Sequence, residues 1–173
     1  MRFANSTAGL RSTTLPFTAG DYSIFIVFNP TSAGSGAAWV PLGIGVNAAP
    51  GGASGMLNYL SLSLQSNEQY NGVANYSFGT YPSAMSSLEF ILSGSTLSSW
   101  ISGTVNGSPT TVGAYATPAN QATLGSYTWM GAGGPNTTNS ANMDIAEIIV
   151  YNRALSSGER AQIEGYLSAK WAI

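Results

Sequence analysis

The ionisable side chains of this chain narrow the chemistry open to it. Among 173 residues there are seven carboxylates (Asp21, Glu68, Glu89, Asp144, Glu147, Glu159 and Glu164) and five cations, with no histidine and no cysteine. Lacking histidine, the chain cannot assemble a Ser-His-Asp arrangement and has lost the commonest general base and transition-metal ligand. Lacking cysteine, it has no disulfide framework, thiolate nucleophile or thiolate zinc site. Glycoside hydrolysis normally needs two carboxyl groups flanking one bond, roughly 5–10 Å apart. Asp144 and Glu147 share one strand-like run, where their simplest role is packing against a following helix and pairing with Arg153 or Arg160. No catalytic residue is assigned, and the expectation is a protein that is not an enzyme. Calcium asks for several oxygen ligands with carboxylates among them. The loop-like segments hold many asparagines and almost no aspartate, and Asp21 beside a strand start reads as a turn acceptor. No metal and no cofactor are expected.

Non-covalent recognition is the chemistry that remains. Sugars are held by aromatic faces against the ring, with amides and hydroxyls bonding its hydroxyl groups. Tyr70, Asn71, Tyr76, Tyr81, Tyr127 and Trp129 offer both kinds of group in loop-like settings and are the candidate glycan contacts. The competing reading makes the same aromatics plugs at the rims of a sandwich and the asparagines turn residues. Trp100 and Trp171 read as core.

The elements that would position these groups are β-strands. Residues 22–28 form a nearly continuous apolar run, the mark of a central strand covered on both faces, and Asn29-Pro30 should end it. Residues 60–64 alternate leucine and serine, and residues 88–92 and 99–105 read as a neighbouring pair. The second of these runs into Asn106-Gly107, the strongest short hairpin signal in the chain. Residues 122–125 and 143–151 add two further strands. Ser156 followed by Glu159 makes a capping box, which predicts a helix over about 157–169 with Ile163, Tyr166, Leu167 and Trp171 on its apolar face. Segments 33–37, 47–55 and 131–141 lack periodicity and read as loops. One domain spanning 1–173 is expected. Only 7% of residues are charged and the net charge is −2, against roughly 25% charged in average domains. There is no basic face for nucleic acid and no apolar run of membrane-spanning length, so neither partner is expected.

The stretch Ala146-Glu147-Ile148-Ile149-Val150-Tyr151-Asn152-Arg153-Ala154-Leu155-Ser156, followed by Gly165-Tyr166-Leu167-Ser168-Ala169-Lys170-Trp171, resembles the closing segment of concanavalin A-like, laminin-G-type jelly-roll domains. Residues 21–28, the strand leading into Asn106-Gly107, and residues 122–125 are similar to further strands of that family, in the family's order. The resemblance implies an all-β, antiparallel concanavalin A-like jelly-roll β-sandwich with a short C-terminal α-helix. Glucanases on the same scaffold carry an E-x-D-x-x-E strand motif. The similar stretch here begins with Asn142, so the resemblance supplies no activated nucleophile.

A scaffold of this kind hosts many functions. The leading expectation is a virion structural or decoration protein of a bacteriophage, acting through subunit packing and surface glycan binding. Its motives are the missing catalytic equipment, the low-charge surface, and the absence of a hydrophobic signal region after Met1-Arg2-Phe3-Ala4-Asn5. Its partners would be capsid or appendage proteins of the same virion, host-surface glycans, and further copies of itself in a homo-oligomer. The alternative is a carbohydrate-binding or adhesion module of a larger secreted bacterial protein, acting outside the cell or at its surface. Asn5, Asn75, Asn106 and Asn136 each begin an N-glycosylation pattern, but chance matches are common in a chain this rich in Asn, Ser and Thr.

Overall fold

The computed structural model describes residues 2–3, 10–12, 20–30, 38–49, 52–61, 66–70, 75–80, 82–113, 122–124 and 143–173. In chain order the strands are β1 (Arg2–Phe3), β2 (Leu10–Ser12), β3 (Tyr22–Pro30), β4 (Ala38–Ala49), β5 (Gly52–Ser61), β6 (Ser66–Tyr70) and β7 (Asn75–Thr80). There follow β8 (Ser86–Ser93), β9 (Thr96–Ile101), β10 (Thr104–Val105), β11 (Thr110–Thr111), β12 (Ala122–Leu124), β13 (Met143–Tyr151) and the helix α1 (Ser157–Trp171). Every pairing is antiparallel. One sheet runs β1-β13-β3-β8-β9-β10, with β11 also on β9, and the other runs β2-β12-β4-β5-β6-β7. This is the jelly-roll β-sandwich with a short C-terminal helix that the sequence implies.

β3 is apolar throughout because both of its faces are covered. Tyr22, Ile24, Ile26 and Phe28 enter the core between the sheets, with Leu88, Phe90 and Met143 from their own sheet and Leu42 and Phe78 from the other. Phe25 and Val27 point the opposite way, into a second core with Ile91, Leu155 and Leu167 under α1. Each such side chain contributes about 1.5–3 kcal/mol by leaving water. Ser23 is the polar member of the strand. Its hydroxyl donates to the Arg153 carbonyl at 3.0 Å and accepts from the Leu155 amide at 2.9 Å, which ties the approach to α1 onto β3.

The register of β13 against β3 shifts between Ile145 and Glu147. Met143 and Ile145 lie in the inter-sheet core, whereas Ala146 and Ile149 pack on the helix side. The bulge thus reverses the alternation and delivers Glu147 to α1 instead of burying it between the sheets.

Several expectations are corrected. The strand expected over 99–105 is broken by a hairpin: Ser102 (φ 45°) and Gly103 (φ 75°) connect β9 to β10, with Ile101 opposite Thr104. Two positive φ values in a row are the type I′ turn, so Ser-Gly occupies the place expected of Asn-Gly. Asn106-Gly107 instead meets the other sheet, where a Cβ on Gly107 would come within 2.9 Å of the Gly79 nitrogen. Segment 47–55 is not a loop, since Asn47, Ala48 and Ala49 of β4 pair with Ser54, Ala53 and Gly52 of β5. Its residues are small and mixed, so no apolar periodicity announces it. Leu60 and Ser61 of the strand expected over 60–64 end β5, and 33–37, 62–65 and 131–141 fall outside the described residues. α1 runs to Trp171, two residues beyond the expected end. Tyr166 is exposed at its outer edge and does not pack with Leu167.

Candidate functional site

The densest polar chemistry among the described residues lies between β8 and α1. Glu89 interrupts an otherwise apolar strand, opposite Phe25 of β3 and Trp100 of β9, on the face that α1 covers. It is 0% exposed. Its Oε1 accepts from the Ser87 hydroxyl at 3.1 Å and from the Gly103 amide at 3.4 Å. Oε2 faces the helix, 3.7 Å from Arg160 Nη1 and beside the Glu164 carboxyl. Arg160 also donates to Glu164 Oε1, and its guanidinium lies over the Trp100 ring at 4.3 Å. One guanidinium therefore serves two carboxyl groups.

Burial pushes the Glu89 carboxyl up to about 8, and the neighbouring Glu164 adds to the rise; the bonds from Ser87 and Gly103 oppose it less strongly. At neutral pH Glu89 thus keeps its proton and presents it to Glu164, which accounts for an Oε2 that accepts no other hydrogen bond. A cleft of about 270 Å³ opens in front of this pair, lined by Ser87, Ser102, Gly103, Glu164, Gly165 and Ser168 among others. The Ser102-Gly103 turn forms one wall and is held to β8 by Ser102 N–H donating to the Ser87 carbonyl at 2.9 Å.

Glu147 organises the other end of α1. It accepts from Trp171 Nε1 at 2.7 Å and from the Tyr166 hydroxyl at 2.9 Å, and pairs with Lys170 Nζ at 3.1 Å. Burial raises its carboxyl, but these three donors outweigh that and hold it below the usual carboxylate range. The partners expected for it were Arg153 and Arg160. The bulge in β13 instead turns it toward the last turn of the helix, while Arg153 pairs with Glu159 at 2.7 Å.

Of the candidate glycan contacts, Tyr76 is described in full. It is half-buried against the inter-sheet core, and its hydroxyl accepts from the Gly113 amide at 3.0 Å. The register of β6 on β7 sets Tyr70 opposite Asn75 and Gln69 opposite Tyr76, at one end of this hairpin. The Tyr70 side chain, and Asn71, Tyr81, Tyr127 and Trp129 as a whole, lie outside the described residues, as does Asn142. Asp21 accepts from the Gly94 amide at 2.8 Å, which is the turn-acceptor role read for it. Among the described residues no three Asp or Glu side chains stand close enough to hold a metal ion, and no helix is long and apolar enough to cross a membrane.

The Glu89–Glu164–Arg160 group has no counterpart among the candidate site residues of the sequence. Two signals were available: a lone carboxylate inside a central apolar strand, and Arg160 with Glu164 at the i,i+4 spacing of a helix face.

No family model matches the chain, and no curated protein matches it. Solved structures do. A native heptameric SAP-like pentraxin from Limulus polyphemus matches with a TM-score of 0.71 and 11% identity over 94% of this chain and 80% of that one. The K499G mutant of NanB sialidase from Streptococcus pneumoniae matches with a TM-score of 0.69 and 14% identity over 93% of this chain and 26% of the sialidase. Trypanosoma rangeli sialidase in complex with sialic acid matches with a TM-score of 0.60 and 17% identity over 87% and 23%. The chain therefore spans about a quarter of the length of the sialidase chains it matches. At these identities the likeness shows the fold. It also corrects the expectation of a protein that is not an enzyme: the same fold forms part of enzyme chains, so the scaffold is no argument against activity.

Proposed function

We propose that this chain is a carbohydrate-recognition module of a larger extracellular or cell-surface protein. The observation that carries the reading is the end of the β6–β7 hairpin, where register gathers Tyr70, Asn75 and Tyr76 on the last strands of the second sheet. Tyr70 and Asn75 are direct cross-strand partners, an aromatic and an amide of the types that sugar binding uses, while Tyr76 alternates to the core face. The Gly113 amide fixes the Tyr76 hydroxyl, and this ring, packed against the inter-sheet core, braces the strand that carries Asn75. Support also comes from the company the fold keeps, which includes a sialidase solved with sialic acid. The heptameric pentraxin supports self-association as a way of multiplying weak contacts. None of these structures is a virion protein, so decoration of a virus particle lacks that support. A glycan array probed with the chain tests the reading. Discrete hits that Tyr76→Ala abolishes while the protein stays folded are expected. An empty array, or hits indifferent to both Tyr70→Ala and Tyr76→Ala, overturns it. The same hits incubated with the chain and assayed for released sugar report any turnover.

A further inference from the structure

We infer that the cleft between α1 and the Ser102-Gly103 turn is a binding site for a primary ammonium group on a small ligand. It lies apart from the β6–β7 hairpin and does not depend on that reading. The inference rests on where the hydroxyl protons go. Ser87 donates its proton inward to Glu89 Oε1, and Ser168 donates its own to the Ile173 carbonyl at 2.5 Å. Ser87 lies buried at the cleft floor, and the exposed Ser168 oxygen is left to the cleft as an acceptor. Glu164 spends Oε1 on Arg160, while its Oε2 stands nearest the Gly103 wall, 3.5 Å from where a Cβ on that glycine would sit.

Apart from the Ser102 hydroxyl, whose oxygen accepts from the Ser87 amide at 3.4 Å, the donors nearby are already used. The Gly103 amide points to Glu89, the Ser102 amide to the Ser87 carbonyl, and the Arg160 guanidinium to Glu164 and the Trp100 face. No lysine, arginine, asparagine or glutamine side chain lines the cleft. A carboxylate oxygen with the Ser168 oxygen beside it, and no amide or cationic donor left over, suits a group that carries donors and a positive charge. An ammonium has three N–H donors and no acceptor, and its bond to a carboxylate is of the strong, charge-assisted kind.

The volume of about 270 Å³ admits a ligand up to about the size of one sugar ring, at the low end of the roughly 300–1,000 Å³ of small-molecule sites.

The test is an amide chemical-shift titration of the intact chain at constant ionic strength. Ethylammonium is compared with tetramethylammonium, which carries the same charge without N–H donors, and glucosamine with N-acetylglucosamine, which differs at the amine. Saturable shifts at Gly103 and Gly165 with ethylammonium, and none with tetramethylammonium, are expected. A parallel split between glucosamine and its acetylated form assigns the ammonium to an amino sugar, and a split confined to ethylammonium assigns it to an alkylamine. Glu164→Gln should weaken binding about tenfold or more. Ser168→Ala, at an exposed helix position, should weaken it less while Tyr76→Phe leaves it unchanged. Equal response to both alkyl cations, or full affinity retained in both Glu164→Gln and Ser168→Ala, overturns the inference.

Discussion

Arg160 Nη1 stands 3.7 Å from Oε2 of Glu89, so a guanidinium on the terminal helix caps a carboxyl buried in the sheet beneath it. The same guanidinium covers the Trp100 ring. Removing it strands Glu89 and uncovers an aromatic face together. Arg160→Ala should lower stability by roughly 1–3 kcal/mol, read as a drop in denaturation midpoint. Arg160→Lys should recover part of this loss, because an ammonium restores the charge but not the planar contact.

The Glu89 carboxyl titrates at about 8 in the folded chain against an ordinary 4.5. Between those values the folded state holds a proton that the unfolded state has released. Stability should therefore fall as pH rises from about 4.5 to about 8, by at most about 1.4 kcal/mol per pH unit for one proton, and level off above. Glu89→Gln should flatten that slope and make the variant the more stable protein at pH 8. Denaturant melts of both proteins across this range check it, and parallel slopes would show that another group titrates.

Ser156 and Glu159 close the start of α1 reciprocally. The Ser156 hydroxyl accepts from the Glu159 amide at 3.3 Å, and Glu159 Oε2 accepts from the Ser156 amide at 2.9 Å. Ser156→Ala should cost about 1 kcal/mol. Arg153 first, and then the Ser156 bonds, hold the Glu159 carboxyl down at about 2. The contribution of this carboxylate is thus present above its ordinary 4.5 and is lost as pH falls through about 2. Acid melts of Glu159→Gln should lack that loss.

Gly107 combines φ of +80° with a close approach to the second sheet: a Cβ there would stand 2.9 Å from the Gly79 nitrogen and 3.2 Å from Phe78 Cα. Gly94, at φ +60°, has nothing within 4 Å of that position. Gly107→Ala should therefore destabilise by more than the roughly 1–2 kcal/mol that left-handed backbone alone costs, and Gly94→Ala by about that amount. Equal midpoints for the two variants would mean that the sheets yield freely at this contact.

What the residues announced and what they hid divide along physical lines. β3 and β13 were legible as long apolar runs, and α1 through its cap and the apolar spacing of Ile163, Leu167 and Trp171. The Ser102-Gly103 hairpin was hidden behind a stronger turn signal four residues later, whose glycine serves a contact between sheets instead. The β4–β5 ladder at Asn47 to Ser54 was hidden because small residues pair through backbone and leave no pattern. The Glu89 cluster was the least legible, since its members come from a mid-chain strand and the final helix, and only folding brings them together. The bulge at Ala146, which aims Glu147 at Trp171, has no sequence mark of its own.

Sugar recognition at the β6–β7 hairpin is tested most directly by amide-shift mapping with an oligosaccharide that the glycan array returns. The predicted result is a saturable set of shifts centred on Tyr70, Asn75, Tyr76 and Gly113, lost in Tyr76→Ala and spared in Glu164→Gln. Shifts that gather elsewhere, or that persist unchanged in Tyr76→Ala, would contradict it.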